Sequence, residues 1–256
     1  MPKMPVSKKE KMKELILKGE SINKISKELG IGKSTIYYTY KKLKGKRYIL
    51  PSFDRTASGI EGEIVGIFAG DGSQYLHKKT GHYEVNVHFG IKSKEYSLYV
   101  QKLYESFFNH SFRLREEKNG RILRLKIESK IVYHYFKNYL DYIPSVKHST
   151  VKLKTLDLPI PFKIGFLKGL IDTDGSVLYK KDRKKIRVDF STTSKELASH
   201  VCRLLEELGV SYGLTLRDKS LKNEKNVHLI YILTRDTDKF LNIVKPFKLK
   251  KFGLVA

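Results

Sequence analysis

Hydrophobic and polar positions alternate with two different periods along the chain. Near the N-terminus, apolar residues recur every three or four positions, as in Ile22, Ile25 and Leu29, which is the period of an amphipathic helix. From about residue 59 onward, apolar segments of helix length are followed by segments such as EVNVHFGI and RILRLKI, in which apolar and polar residues alternate. That second period is typical of strands with one buried face. The pattern predicts a small all-α domain followed by a larger α+β region.

Three helices are predicted before residue 45. Ser7 is expected to cap the first helix and Gly19 to end it, while Ser21 and Gly30 bound the second. The third helix then covers the segment STIYYTYKKLK. Residues 46–58, which are basic, are predicted to form a linker.

The spacing Ser26-x3-Gly30-x5-Ile36 resembles the helix-turn-helix of resolvase-like DNA-binding domains. A small residue at position 26 lets two helices cross closely, and glycine at position 30 permits the positive φ of a tight turn. The resemblance makes the third helix the candidate recognition helix. Its candidate DNA contacts are Lys33, Ser34, Thr35, Tyr37, Tyr38 and Lys41. A pair of unrelated amphipathic helices is the alternative.

The region after residue 59 contains an internal repeat. Residues 59–73 and 161–176 are both apolar segments that end in Asp-Gly-Ser, with Asp71 and Asp174 lying 103 residues apart. Farther along, Phe89 and Phe190 each precede a Ser-Lys-Glu triplet, and these two phenylalanines lie 101 residues apart. Because the offset is nearly constant, we interpret the region as two copies of one unit.

Each copy is predicted to run helix, hairpin, helix, hairpin, helix. In the first copy the strands are expected near 75–79, 83–91, 111–117 and 120–127, with helices at 94–108 and 129–141. In the second copy they are expected near 177–182, 185–193, 212–218 and 226–233, with helices at 195–208 and 236–245. The predicted domains are therefore a helix-turn-helix over 1–45, the linker 46–58, a first repeat over 59–143, an inter-repeat linker over 144–160 and a second repeat over 161–256.

Glycines recur at four-residue spacing in the first helix of each copy. Gly62, Gly66 and Gly70 form one such stripe, and Gly165 and Gly169 form another. Each glycine costs about 1 kcal/mol of helix propensity, so a compensating interaction is expected. A stripe without side chains lets two helix backbones approach closely, and we expect these two helices to pack against each other.

Asp71 and Asp174 are the candidate catalytic and metal-binding residues. Each lies at the predicted C-terminus of a helix, where the helix dipole disfavours negative charge, and a glycine that can end the helix follows. If the helices pair in parallel, the two carboxylates meet and repel each other. A divalent cation, Mg²⁺ or Mn²⁺, would relieve both penalties, since these ions prefer oxygen ligands. An ordinary Asp-Gly turn after each helix is the alternative.

The charge balance indicates a polyanionic partner. Lys and Arg number 51 against 27 acidic residues, which gives a net charge of +24 and a pI near 9.8. Basic side chains placed on phosphates release condensed counterions and so favour nucleic acid, although a merely soluble Lys-rich surface is an alternative.

Cys202 is the single cysteine, which excludes a disulfide framework within the chain and indicates a reducing, intracellular (cytoplasmic, prokaryotic-type) location. No apolar run reaches the length of about 18 residues that a membrane span needs.

Residues 167–175, LKGLIDTDG, match the LAGLIDADG motif at seven of nine positions, and residues 64–72, IVGIFAGDG, retain Gly66, Asp71 and Gly72. Over about residues 59–250 the chain resembles the single-chain, two-motif LAGLIDADG homing endonucleases. The resemblance implies an α+β fold in which two αββαββα repeats form a pseudo-two-fold saddle on double-stranded DNA. A chain with two repeats is expected to act as a monomer, since its pseudo-two-fold already pairs the motifs. Inteins carry the same module but need splicing residues at both ends, and this sequence begins with Met and lacks a terminal His-Asn pair, so a free-standing, intron-encoded enzyme is expected.

The same resemblance implies roles for individual residues. Asp71 and Asp174 would bind the metal, with the backbone carbonyls of Gly70 and Thr173 as additional ligands, and each aspartate would serve one DNA strand. Relatives often place a basic catalytic residue at the end of the fourth strand, where this chain has Lys126, and Arg235 is the nearest candidate in the second copy. Relatives often have Gln or Lys where this chain has Ser93 and Ser194, which we interpret as helix N-caps.

Polar residues of the predicted strands are the candidate groove contacts. They are Gln74, Tyr75, His77, Lys79, Arg113, Arg115, Arg121 and Arg124 in the first copy, and Tyr179, Lys181, Arg183, Lys185, Arg187, Arg217 and Lys219 in the second. A solvated sheet face explains each of them equally well.

The sequence supports a metal-dependent, site-specific DNA endonuclease best. Two alternatives of other classes stay open: a regulator that binds DNA without cleaving it, and an RNA maturase that uses the same basic surface. Retention of both aspartates favours the enzyme, since a silent protein is expected to lose them.

Overall fold

The structure, a computed structural model, describes residues 5–44, 50–117, 120–180, 185–218 and 225–253. The chain divides into two units, Met1–Leu50 and Pro51–Ala256, so the boundary falls inside the segment predicted as a linker. Across these described ranges, no helix has both the length and the apolar character needed to cross a membrane.

The first unit contains the three predicted helices, α1 (Val6–Leu17), α2 (Ile22–Leu29) and α3 (Lys33–Lys44). The Ser21 hydroxyl accepts the backbone N–H of Lys24 at 3.2 Å, and Gly30 has a φ of 59°, as predicted for the cap and the turn. The small core consists of Met12, Ile16, Ile25, Leu29, Ile31 and Ile36. DNA binding by this unit stays a prediction.

Two details of the first unit differ from the prediction. Helix α1 begins at Val6 after Pro5, and no side chain caps it, so the cap predicted at Ser7 is wrong. The backbone N–H of Lys9 bonds to the Pro5 carbonyl, which places Ser7 inside the first turn. Ser26 also does more than leave room, because its hydroxyl donates to the Ile31 carbonyl at 2.8 Å and holds the turn between α2 and α3.

The second unit contains the αββαββα order twice, which confirms the predicted fold class. The first repeat comprises α4 (Gly59–Asp71), β1 (Gly72–His77), β2 (His82–Gly90), α5 (Lys94–Phe108), β3 (Arg113–Glu117), β4 (Ile122–Glu128) and α6 (Lys130–Tyr135). Between the repeats lie β5 (Leu140–Asp141), α7 (Lys147–Thr150) and β6 (Lys152–Leu153). The second repeat comprises α8 (Ile160–Thr173), β7 (Gly175–Lys180), β8 (Lys185–Thr192), α9 (Lys195–Glu207), β9 (Tyr212–Arg217), β10 (Val227–Ile232) and α10 (Thr237–Val244).

Each repeat forms one antiparallel four-stranded sheet, in the order β1-β2-β4-β3 and β7-β8-β10-β9. Alternate side chains point to opposite faces of a strand. On one face, residues such as Val85, Val87, Leu125, Val188 and Phe190 are buried in the common core. We call this the inner face, and the opposite face of each sheet, where the polar residues of the same strands lie, the outer face.

The segment between the repeats is more structured than predicted. Helix α6 stops at Tyr135 and a 3-10 turn follows, whereas the sequence predicts a helix over 129–141. The ring of Phe136 stacks on Phe68 at a centroid distance of 3.9 Å, which draws the chain back onto α4. Strands β5 and β6 then pair with each other. Residues 144–160 are therefore part of the folded unit and not a free linker.

Residues 51–58 also pack on the second unit, although they lie within the predicted linker. The Phe53 ring makes edge contacts with Phe108 and Tyr135, and the Ser52 N–H bonds to the Phe108 carbonyl. Just beyond, the buried Glu61 carboxylate accepts the hydroxyls of Tyr135 and Tyr139 at 2.8 and 2.6 Å. These bonds satisfy a charge that would otherwise be costly to bury.

Helices α4 and α8 run parallel and touch along the predicted glycine stripes. A Cβ atom at Gly62 or Gly66 would overlap the carbonyl of Phe162 or Phe166, respectively. On the other helix, a Cβ atom at Gly165 would overlap the Gly59 carbonyl in the same way. The two backbones are therefore in direct contact, which is possible only without side chains along this line.

A substitution in this line is expected to destabilise the second unit. Gly165→Ala should lower the free energy of unfolding by at least about 2 kcal/mol, because inserting a methyl group into a packed interface typically costs about 1–3 kcal/mol and here it meets backbone. Gly90→Ala is the matched control, since a Cβ there meets no atom within 4 Å and the φ of −66° suits any residue. Urea unfolding of both variants measures the difference, and equal stabilities would contradict the packing described above.

Candidate active site at the paired helix ends

The two aspartates of the repeats lie at the same end of the α4–α8 pair. Asp71 is the last residue of α4, and Asp174 caps α8. Gly70 approaches Thr173 and the Asp174 carboxylate so closely that a Cβ atom would overlap the Thr173 hydroxyl. Gly72 has a φ of −77°, which any residue can adopt, so no left-handed turn requires glycine here. Glycine is needed for space, because a Cβ atom at this position would overlap the backbone of Phe68.

Burial perturbs both carboxylates, and the charge of Asp174 adds to the shift of Asp71. Desolvation, followed by the charge of Asp174, raises the pKa of Asp71 to about 6. Burial also raises the pKa of Asp174, while the nearby ammonium groups of Lys147 and Lys248 oppose that shift. The site therefore holds two partly desolvated acids in a place where positive charge is favoured.

Lys147, on α7, supplies part of that positive charge. Its ammonium group donates to the carbonyls of Phe68 at 3.0 Å, Ala69 at 2.5 Å and Gly70 at 2.8 Å, which are the last carbonyls of α4. Burial lowers the pKa of Lys147 to about 8, and the charges of Asp174 and Asp71 act in the opposite direction. A cation at a helix C-terminus satisfies free carbonyls and interacts favourably with the dipole.

Lys248 does the same for α8. Its ammonium group donates to the carbonyls of Ile171 at 2.9 Å, Thr173 at 3.2 Å and Gly175 at 2.5 Å, and burial lowers its pKa. Lys147 and Lys248 are 101 residues apart, which is the spacing of the repeat. Each repeat therefore contributes one aspartate, and the segment that follows the last helix of each repeat contributes one lysine.

Neither lysine was among the residues predicted from the sequence. The sequence nevertheless holds a signal, because each lysine follows a proline that opens the segment after the last helix of its repeat, Pro144 in one case and Pro246 in the other. The offset of the repeat then relates the two lysines to each other.

Asp172 anchors Lys248 from within the second motif. Its buried carboxylate accepts the backbone N–H groups of Phe247 at 2.8 Å and Lys248 at 3.0 Å. Burial raises the pKa of Asp172 to about 6, against the effect of these two hydrogen bonds. The first motif has Ala69 at the corresponding position, so the segment that carries Lys147 is held differently, through Thr193, whose hydroxyl donates to the His148 carbonyl at 2.8 Å.

Lys126 lies on the outer face of the first sheet, in the same cross-strand row as Ser73, which follows Asp71 by two residues. Its ammonium group is bound by Glu84 at 2.5 Å and Glu128 at 3.1 Å. Arg235 lies in a 3-10 turn and donates to the Ser211 hydroxyl at 3.0 Å. The catalytic roles of Lys126 and Arg235 stay predictions, and the structure adds Lys147 and Lys248 as basic residues at the helix ends.

Ser93 and Ser194, which follow the second strand of each repeat, differ in whether they cap the next helix. The Ser194 hydroxyl accepts the backbone N–H of Leu197 at 3.2 Å, which confirms the predicted cap of α9. Ser93 makes no such bond, so the cap predicted there is wrong. A 3-10 turn, Ile91–Ser93, runs directly into α5 and keeps Ser93 out of the extended conformation that a capping residue needs.

The oxygen atoms at the helix ends suit a hard divalent cation. They are the carboxylates of Asp71 and Asp174 and the carbonyls of Gly70 and Thr173, although each of these carbonyls already accepts a lysine N–H. Within the part of the chain that the structure describes, no cluster of three or more His, Cys, Asp or Glu side chains is found. Two carboxylates with open positions fit an ion such as Mg²⁺, which keeps waters and binds substrate phosphates. A cavity of about 290 Å³ opens beside Asp174 and Gly70.

The strand register decides which predicted groove residues reach the outer faces. Tyr75, His77, Arg113, Arg115, Arg124, Lys185, Arg187 and Arg217 lie there, while Lys79 and Arg121 lie in hairpin turns. The prediction that Gln74 contacts the groove is wrong, because its side chain points inward, is 8% exposed and donates to the Tyr133 carbonyl at 2.5 Å. Tyr179 also lies on the inner face, near the Phe252 ring. Lys181, Arg183 and Lys219 lie outside the described residues.

Two family models match the chain, one in each repeat. The LAGLIDADG-like domain model matches residues 161–245, and the WhiA LAGLIDADG-like domain model matches residues 60–134. The homing endonuclease I-DmoI from Desulfurococcus mucosus is 26% identical over 196 residues, which is 75% of this chain and 90% of that protein. The chain therefore has the LAGLIDADG fold, present here as two repeats.

Other relatives are larger than this chain. Protein MJ0314 of Methanocaldococcus jannaschii is 26% identical over 156 residues, which is 59% of this chain and 55% of that protein. A DNA polymerase of Thermococcus sp. is 27% identical over 184 residues, 70% of this chain, and the match covers 10% of the polymerase. The chain thus spans about half of one of these proteins and a tenth of the other.

A solved structure shows the same fold. The crystal structure of I-DmoI in complex with DNA and Mn superimposes with a TM-score of 0.53 at 25% identity, and the match covers 74% of this chain and 97% of that one.

The raised pKa of Asp71 predicts how pH affects stability in the absence of divalent metal. Because the folded state binds this proton more tightly than the unfolded state, the stabilisation is present at low pH and is lost as pH rises through about 6. Asp71→Asn should therefore raise the free energy of unfolding by about 1–2 kcal/mol at about pH 7.5, and the gain should shrink toward pH 5. Thermal unfolding in EDTA measures it, with the exposed Asp157→Asn as control. A gain that is independent of pH would contradict the shift.

Proposed function

We propose that this protein is a site-specific, divalent-metal-dependent DNA endonuclease that cuts both strands of a long target site as a monomer. The observation that carries the proposal is the meeting of Asp71 and Asp174 at one end of the α4–α8 pair, with one half-buried lysine from the segment that follows each repeat's last helix. Two equivalent acids, related by the internal repeat, are what the hydrolysis of two antiparallel strands requires.

The outer faces of the two sheets are the proposed DNA-binding surface. Strands β1 and β7 leave the ends of α4 and α8 directly, so both outer faces begin beside the aspartates. Exposed cations such as Arg113, Arg115 and Arg217 lie on these faces, and the net charge of +24 supplies the attraction to phosphate. Two-stranded ribbons fit the major groove, where base edges differ. The complex of I-DmoI with DNA and Mn supports this comparison.

The residues of this chain have distinct parts in the reaction. Asp71 and Asp174 would hold the cation, and a bound divalent cation lowers the pKa of a water for attack on phosphorus and stabilises the leaving oxygen. Lys147 and Lys248 keep the two carboxylates together and balance charge as the phosphate enters. Asp172 positions Lys248 through the backbone and does not itself face the phosphate.

A DNA-binding protein without cleavage activity is the second candidate. One observation favours it: the carbonyls of Gly70 and Thr173, two of the expected metal ligands, are each bound by a lysine ammonium group. In an endonuclease these ammonium groups must move or share the carbonyls when a metal binds. In a regulator they could remain as permanent counter-charges for the two aspartates.

Cleavage of a randomised duplex library with Mg²⁺ or Mn²⁺ distinguishes the two candidates. We expect cuts at one long site, which become single-strand nicks in Asp71→Asn and in Asp174→Asn. Lys147→Met and Lys248→Met should each slow cleavage at least about 100-fold, since removing one charge-stabilising donor from an active site has effects of that order.

Lys239→Met is the matched control for the lysine variants. Lys239 also donates to a carbonyl near a helix end, that of Gly209 at 2.5 Å, but it is exposed on α10. Its loss should leave cleavage unchanged. Selective DNA binding without cutting, with either metal and in every variant, would overturn the endonuclease and leave the regulator.

The N-terminal unit is proposed to add affinity for DNA flanking the cut site. Lys33 and Lys41 on α3 are expected to contact phosphates, so replacing both with alanine should weaken binding and reduce the slope of log affinity against log salt by about 2. The cut positions should not change. Lys9 and Lys13, exposed on α1, are the control pair. Equal effects of the two pairs would show that α3 is not a specific contact surface.

A further inference from the structure

The outer faces of the two sheets differ in chemistry although their topology is the same. On each outer face, residues that pair directly across neighbouring strands form rows, and the two rows nearest the aspartates can be compared position by position between the sheets. In the first sheet, the first row is Ser73, Asn86, Lys126 and Arg113, and the second row is His88, Arg124 and Arg115. In the second sheet, the first row is Ser176, Asp189, Tyr231 and Gly213, and the second row is Ser191, Leu229 and Thr215.

The first sheet carries four cations in these rows, and two of them are available to bases. Arg124 and Lys126 form ion pairs with acidic residues, and the Glu84 carboxylate pairs with both of them. Arg113 and Arg115 lie exposed on the edge strand β3, and no ion pair is found for either within the described ranges. An arginine in the major groove binds the O6 and N7 atoms of guanine with two hydrogen bonds.

The second sheet has no cation at the same positions. Thr215 replaces Arg115, and Leu229 replaces Arg124, so a methyl group and an isobutyl group take the place of two guanidinium groups. The Tyr231 ring lies over Gly213, where any Cβ atom would overlap it. Leu178, also on the outer face, is 51% exposed. A cavity of about 650 Å³ opens beside Thr215 and Tyr231, with Lys185 and Arg187 of the neighbouring outer rows also in its lining.

We propose that the two halves of the DNA target differ in base composition where these rows meet them, with guanines under Arg113 and Arg115 of the first sheet and thymines under the corresponding positions of the second sheet. Thymine is the base that presents a methyl group in the major groove, and apolar side chains contact it favourably. The inference rests on the proposed function, because it requires both outer faces to contact one duplex. It goes further in that it assigns a base preference to particular positions of each sheet.

A reciprocal exchange tests the assignment, since Arg115 and Thr215 occupy the same position in the two sheets. The full-length protein is bound to a randomised duplex library in Ca²⁺ without Mg²⁺, and the retained DNA is sequenced. The wild-type protein should select one guanine-rich and one thymine-rich segment. Arg115→Thr should lower the guanine preference about tenfold in the first segment alone, and Thr215→Arg should introduce a guanine preference in the second.

Arg203→Thr is the control, because Arg203 is an exposed arginine on α9, which packs against the inner face of the second sheet. It should lower affinity slightly and leave both base preferences unchanged. If Arg115→Thr fails to fold by thermal unfolding, Arg113→Thr in the same strand replaces it. Selective binding with the same composition in both halves, or an effect of Arg115→Thr on the thymine-rich half, would overturn this inference and leave the endonuclease intact. No selective binding to any duplex would overturn both.

Discussion

Helices α4 and α8 touch backbone to backbone, and the positions of both sheets and both aspartates follow from that contact. Gly62, Gly66 and Gly165 leave no side chain between the two helices at these points, so the helices are held in one register. Because β1 and β7 leave the helix ends without an intervening loop, the register of the helices fixes where each sheet begins. A contact between side chains could adjust to a shift of an ångström, whereas one between backbones cannot.

This close approach creates an electrostatic problem at the end of the helix pair. Two carboxylates, Asp71 and Asp174, come together where both helix dipoles are negative. Lys147 and Lys248 offset this negative charge by binding the last carbonyls of each helix. They stabilise the helix ends and supply positive charge beside the acids at the same time. The packing of the helix ends and the proposed active site therefore depend on the same four side chains.

The two repeats have diverged around this shared centre. Only the second motif has a carboxylate, Asp172, that fixes the backbone of its lysine, and the first has Ala69 in its place. The outer faces have diverged further, with arginines in the first sheet where the second has Thr215 and Gly213. A single chain can keep such differences because each copy changes independently, whereas a symmetric dimer of one repeat would present two identical faces.

The sequence by itself determined the repeat, the order of its elements, the glycine stripes and the acidic pair. These features follow from local periodicity and from spacing, which are properties of neighbouring residues. The predicted strand bounds agree with the structure to within three residues, because the alternation of apolar and polar residues marks a strand. Gln74 was nevertheless assigned to the wrong face, since one step along a strand reverses the direction of a side chain. Only the tertiary structure decided that Lys147 and Lys248 bind the helix ends that carry the aspartates. Lys147 lies 76 residues from Asp71 along the chain, and no local pattern states that the segment after α6 folds back onto the end of α4. That return depends on contacts between distant residues, such as the stacking of Phe136 on Phe68, which form when the chain packs into its core.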